Sequence, residues 1–104
     1  MSPPLDAERL LAVMAALDNP HRLRIVAALA EGREYVSELA RRLGLSRPLL
    51  YMHLEKLEKA GLVQGNLELS EDGKAMKYYE LTEFDLALNA RTIQDAMRLK
   101  EEGR

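Results

Sequence analysis

A chain of 104 residues, 47% of them hydrophobic and with a formal net charge of -2 at pH 7, is long enough for one hydrophobic core and too short for two ordinary domains. It has no cysteine, which excludes a disulfide framework, a thiolate metal centre and a cysteine nucleophile. The start Met1-Ser2-Pro3-Pro4-Leu5-Asp6-Ala7-Glu8 lacks the basic and apolar runs of a secretory signal, and no later run is apolar for long enough to span a bilayer, so a cytoplasmic protein with no membrane partner is expected.

From Asp6 to Leu17 the apolar residues Leu10, Val13, Met14 and Leu17 recur three or four apart, which predicts an amphipathic helix. Asp18-Asn19-Pro20 stops it and starts a second, with Asn19 placed to cap and Pro20 in the first turn. This second helix is expected to reach about Glu31 with Leu23, Val26, Ala27 and Ala30 inward and Gly32 beyond its end. Gly32-Arg33-Glu34-Tyr35 reads as a loop. Val36 to Leu43 reads as a short helix with Leu39, Ala40 and Leu43 on one face, closed by Gly44. Ser46 can cap a fourth helix from Arg47 to Ala60, with Pro48 in its first turn, Gly61 at its end, and Leu50, Leu54 and Leu57 as an inward stripe. Leu45 and Leu62 close the core from the flanking turns.

Val63 to Leu69 alternates at period two, as does part of Ala75 to Leu81, and Glu71-Asp72-Gly73-Lys74 between them is turn chemistry. A β-hairpin follows. Phe84 to Asn89 fits a strand extension, although Thr82 is also placed to cap a helix there. Ile93, Met97 and Lys100 mark a last helix, capped by Asn89 and reaching Glu101. The predicted fold class is therefore mainly α with a small β-hairpin wing (α+β), a winged helix-turn-helix. The helix-turn-helix occupies about 36–60, the wing about 63–82 and a C-terminal dimerisation segment about 84–102.

In that arrangement Leu39, Leu43, Leu50 and Leu54 bury the inner faces of two crossed helices. The outer face of the second is left free to enter a major groove about 12 Å wide. Its early turns present Ser46, Arg47, Pro48, Leu49, Tyr51 and Met52. Leu49, Tyr51 and Met52 suit thymine methyls and Arg47 a phosphate or a guanine edge. Positive charge concentrates locally, where Arg41, Arg42, Arg47, Lys56 and Lys59 outnumber Glu55 and Glu58. Arg41, Arg42, Lys56 and Lys59, with Lys74 and Lys77 in the wing, are candidate phosphate contacts. A solvated helix face is the plainer account of such a cluster, and packing against a neighbouring element or protomer is the plainer account of the apolar set.

Leu10, Met14 and Leu17 on the first helix and Ile93, Met97 and Leu99 on the last exceed what so short a chain easily buries alone. They are the candidate homodimer interface. His53 lies beside the buried stripe and His21 in the first turn of the second helix; a titrating imidazole could sense pH, and the plainer account of His53 is packing and hydrogen bonding near the helix-turn-helix core. Serines and carboxylates are spread over caps and solvated faces, with no phosphate loop and no metal-ligand spacing, so no enzyme is expected, and neither a cofactor nor a metal site.

Leu17-Asp18-Asn19-Pro20-His21-Arg22-Leu23-Arg24-Ile25, Val36-Ser37-Glu38-Leu39-Ala40 and the run from Leu45 to Val63 together resemble the ArsR-type repressors of bacteria and archaea. The resemblance implies homodimers joined through the first and last helices, twofold-symmetric double-stranded DNA as partner, release of that DNA when a metal or other signal binds, and a structural role for His21 in supporting its local turn. It leaves room for an unidentified small-molecule effector. The chain departs from the family's metal sensors: it lacks their cysteines, and residues 84–104 supply Asp85, Asp95, Glu101 and Glu102 but no histidine. Pro48, Leu49 and Tyr51 also replace small hydroxyl residues common in relatives. Two functions stay open: sequence-specific transcriptional regulation, and a winged-helix module that docks proteins through Leu49, Tyr51 and Met52.

Overall fold

Short polar side chains start four of the five helices among the described residues. In a computed structural model describing residues 5–102, Asp6 accepts a hydrogen bond from Arg9 N at 2.8 Å and opens α1 (Ala7–Leu17). Asn19 accepts from His21 N and Arg22 N at 2.8 and 3.2 Å, and with Pro20 in the first turn starts α2 (Pro20–Leu29). Ser46 accepts from Leu49 N at 3.3 Å ahead of α4 (Arg47–Lys59). Asn89 takes the amide of Thr92 at 2.9 Å at the start of α5 (Ala90–Glu102). Each side chain supplies an acceptor that the first turn of a helix lacks.

Between α2 and α4 lies α3 (Val36–Leu43), and the link from α3 to α4 turns at Gly44, whose φ of 68° is left-handed. A side chain there would be strained. Leu39, Leu50, Leu54 and Leu57 have no exposed surface, and Ile25, Leu62 and Val63 join them in one core. The stripe expected of α4 and the face expected of α3 are therefore the buried ones.

The expected inward face of α2 holds only at Val26, which is half-buried against the core. Arg22, Ile25, Ala28 and Leu29 point inward, while Leu23 stays 53% exposed and Ala27 and Ala30 are exposed too. The face chosen by counting apolar residues lost because the inward positions include a charged one. Arg22 donates from Nε to Ala16 O at 2.6 Å and from Nη1 to His53 Nδ1 at 3.1 Å, and these bonds let a guanidinium take a core position.

The hairpin of β2 (Val63–Leu69) and β3 (Ala75–Leu81) runs in register from Val63 opposite Leu81 to Leu69 opposite Ala75. Its turn is held by Ser70, whose Oγ accepts from Lys74 N and donates to Asp72. Gly65 sits opposite Tyr79, and a Cβ there would lie 2.8 Å from the ring, so only glycine lets Tyr79 lie buried across β2. Two expectations fail here. Glu34 and Tyr35, read as loop, form a strand, β1 (Glu34–Tyr35), paired antiparallel with β3 at Tyr79 and Tyr78, so the sheet order is β1-β3-β2. Residues 84–89, read as a strand extension, are irregular. The sheet stops because β2 begins at Val63, opposite Leu81, leaving later residues no strand to pair with. Thr82 closes it by bonding Leu62 O through its amide and Gly61 O through its hydroxyl. Phe84 and Leu86 alternate because an extended chain lays them on the core.

Candidate nucleic-acid interface

Burying Leu50, Leu54 and Leu57 forces the opposite side of α4 outward. Arg47, Pro48, Leu49, Tyr51, Met52 and Lys56 are all exposed there, and Ser46 before them is exposed as well. Three of the expected residues come together. Arg47 and Tyr51 on α4 and Lys77 on β3 line one cleft between the start of α4 and the wing. Lys77 reaches it with its ammonium 5.4 Å from the centre of the Tyr79 ring, a cation over an aromatic face. No ion pair involving Arg47, Lys56, Lys74 or Lys77 occurs among the described residues; Arg47, Lys56 and Lys74 are exposed and Lys77 is half-buried.

The cations of α3 are placed differently. Arg41 lies 3.1 Å from Glu38, and Arg42 lies 2.6 Å from Glu31 and 3.4 Å from Glu34. The hydrogen bond and charge of Glu31, with Glu34 behind them, hold the Arg42 guanidinium above its ordinary pKa. Both arginines are exposed but engaged. Lys74 stands at the wing tip, next to Ala75 of the cleft but not among the residues that line it, and its backbone is fixed by Ser70.

Tyr35, Ser37, Leu67 and Met76 line the same cleft and were not foreseen. Leu67 had a signal, because the hairpin register sets it opposite Lys77. Tyr35 had none, since it arrives through β1, which no local pattern announces. On the other face of the wing Tyr35 Oη donates to Glu68 at 2.9 Å, and Arg33 pairs with the same carboxylate at 3.3 Å.

The apolar residues of the first and last helices divide. Leu10 is buried within the chain, and Leu17 is half-buried against the core. Met14, Ile93, Met97 and Leu99 are exposed, and so are Leu11 and Leu88, at 63% and 54%. A shallow groove there is lined by Leu11, Met14, Leu17, Leu86 and Leu88. No helix among the described residues is long and apolar enough to cross a membrane.

Comparison with known proteins agrees with this geometry. The family model for bacterial regulatory proteins of the arsR family matches residues 19–64, which take in α2, α3 and α4. An uncharacterized HTH-type transcriptional regulator of Methanocaldococcus jannaschii is 40% identical over 79 residues, covering 76% of this chain and 82% of the relative. The crystal structure of the transcriptional repressor BigR from Xylella fastidiosa superposes with a TM-score of 0.62 at 27% identity, over 92% of this chain and 84% of that one. The solution structure of a homodimeric winged helix-turn-helix DNA-binding domain from Mycobacterium bovis gives 0.61 at 24% identity, over 92% and 75%. The fold is a winged helix-turn-helix.

Proposed function

The chain belongs to the bacterial regulatory protein arsR family, and from that membership we propose that this transcriptional regulator binds operator DNA as a homodimer and represses transcription. The observation that carries the reading is the cleft where Arg47, Tyr51 and Lys77 meet, a guanidinium, a phenol and an ammonium on one exposed surface. On this reading α4 enters the major groove, its first turns reach base edges, and Lys56, Lys74 and Lys77 hold phosphates. Ser46, Pro48, Leu49 and Met52 complete the contact surface. Arg41 and Arg42 contribute less, because each must first leave a carboxylate.

The homodimer uses the exposed surface of Met14, Ile93, Met97 and Leu99, extended by Leu11 and Leu88. The homodimeric relative from Mycobacterium bovis supports this, as does the exposure of these apolar side chains on α1, on α5 and at Leu88 just before α5. Repression is supported by the likeness to BigR.

The deciding experiment is a gel-shift with DNA taken from beside the protein's own gene. Specific binding at physiological salt is expected, and purely non-specific binding transfers the exposed apolar set to a protein-docking role. Met97→Glu should convert the dimer to monomers in light scattering with the helical signal kept. A dimer that survives this change places the interface elsewhere.

A further inference from the structure

Among the described residues, the buried class contains only two side chains with ionisable nitrogen, Arg22 at 9% exposure and His53 at 3%, and they bond to each other. Arg22 is also bound to Ala16 O in the last turn of α1. One guanidinium on α2 thus ties the end of α1 to the middle of α4, the helix assigned to DNA reading. A buried cation with no carboxylate beside it is an expensive way to hold two helices together, and apolar residues of like volume do it at no such cost. The position calls for a role that apolar residues lack.

We propose that Arg22 and His53 form a proton-sensitive tie: neutral His53 holds α4 in its reading position, and a proton taken up at Nδ1 releases it. Arg22 carries only donors, so at 3.1 Å it donates and His53 Nδ1 accepts. The ring's own proton therefore sits on Nε2. A neutral imidazole has one lone pair, and here Arg22 occupies it, which also bars His53 from ligating a metal. An added proton has only Nδ1 to enter. It removes the acceptor and leaves two cations in contact inside the core.

The surroundings sharpen this. The charged and titratable groups facing His53 are Arg22 and His21 from α2 and Lys56 from its own helix, with no carboxylate among them. Burial first, and then the charge of Arg22, push the His53 imidazole below its ordinary value. The His21 ring lies 5.4 Å away, centre to centre, and His53 Nε2 and His21 Nδ1 are both buried with no hydrogen-bond partner. No second acceptor therefore holds the ring once Arg22 lets go. Because the folded chain binds this proton less readily than the unfolded one, the stability contributed by neutral His53 is present above the ordinary imidazole range. It falls as pH drops through that range and is lost through the lowered folded value.

The proposal takes its DNA readout from the reading above. Operator and random duplexes are titrated from about pH 7.5 to about pH 5 with wild type, His53→Gln and His21→Gln, and circular dichroism confirms that each is folded. Operator affinity of the wild type should fall about tenfold per unit of separation between the free and DNA-bound pKa values, while random-duplex affinity holds or rises. His53→Gln keeps an acceptor oxygen for Arg22 and does not titrate, so its operator affinity should stay level; His21→Gln should keep the wild-type response. A wild type without the fall, or a His53→Gln protein that retains it, overturns the proposal. Nuclear magnetic resonance of the intact, DNA-free protein decides independently. It should show His53 as the Nε2–H tautomer, with α4 amide shifts that follow its titration. The other tautomer, or α4 amides indifferent to it, overturns the tie even if no operator is found, whereas absence of any specific duplex by itself counts only against the DNA reading.

Discussion

The two faces of α4 answer to different requirements. On the inner face Leu50, Leu54 and Leu57 have no exposed surface and close the core. On the outer face Leu49, Tyr51 and Met52 each keep more than a third of their surface, beside Arg47 and Lys56. A helix that packs with one stripe can spend the other on recognition, because the residues that keep it folded are not those that meet a partner. Stability and specificity should then separate cleanly under mutation.

The largest effect belongs to the inner face. Leu54→Ala removes buried methyl groups from a site with no exposed surface and should cost about 2–5 kcal/mol in urea denaturation. Outward substitutions come next. Tyr51→Ala or Arg47→Ala should leave the denaturation midpoint unchanged and cut the preference for operator over random DNA by about 1–3 kcal/mol. If either unfolds the chain, or keeps full operator preference, the two faces are not separate in the way described. Smaller again is Lys74→Ala, which should weaken operator and random duplexes alike and lower the slope of log affinity against log salt by about 0.9. The smallest change is expected of Arg42→Ala. Its guanidinium is already held by Glu31 and Glu34, so DNA affinity should shift by about twofold or less; a loss matching that of Lys74→Ala would show that those carboxylates give way to phosphate.

What was legible in the sequence follows the same division. The α4 stripe and the α3 face could be read because apolar spacing reports burial directly where the inward residues are mostly apolar, His53 being the polar member on α4. The caps at Asn19, Ser46 and Asn89 were legible because their chemistry is local. The phase of α2 was not, since Arg22 occupies a core position only by virtue of Ala16 O and His53, six and thirty-one residues away. Nor was β1, whose two residues become a strand only through Tyr78 and Tyr79. Of the candidate interface, the outward set on α4 and the wing lysine at 77 were legible. The engagement of Arg42 by Glu31, eleven residues away, was not. Long-range polar contacts leave no period in a sequence.

The two-residue strand β1 bears on motion. A hairpin of two strands is marginal by itself in water, but here the strand that leads directly into α3 is also the third strand of the wing's sheet. The wing therefore cannot swing about a flexible stalk. It is geared to the helix-turn-helix, so any displacement that lifts α3 pulls on Tyr78 and Tyr79, and through the adjoining Lys77 tilts one wall of the cleft. Amide protons along β3 next to β1 should exchange as slowly as those of the core helices, while those near the Ser70 turn open freely.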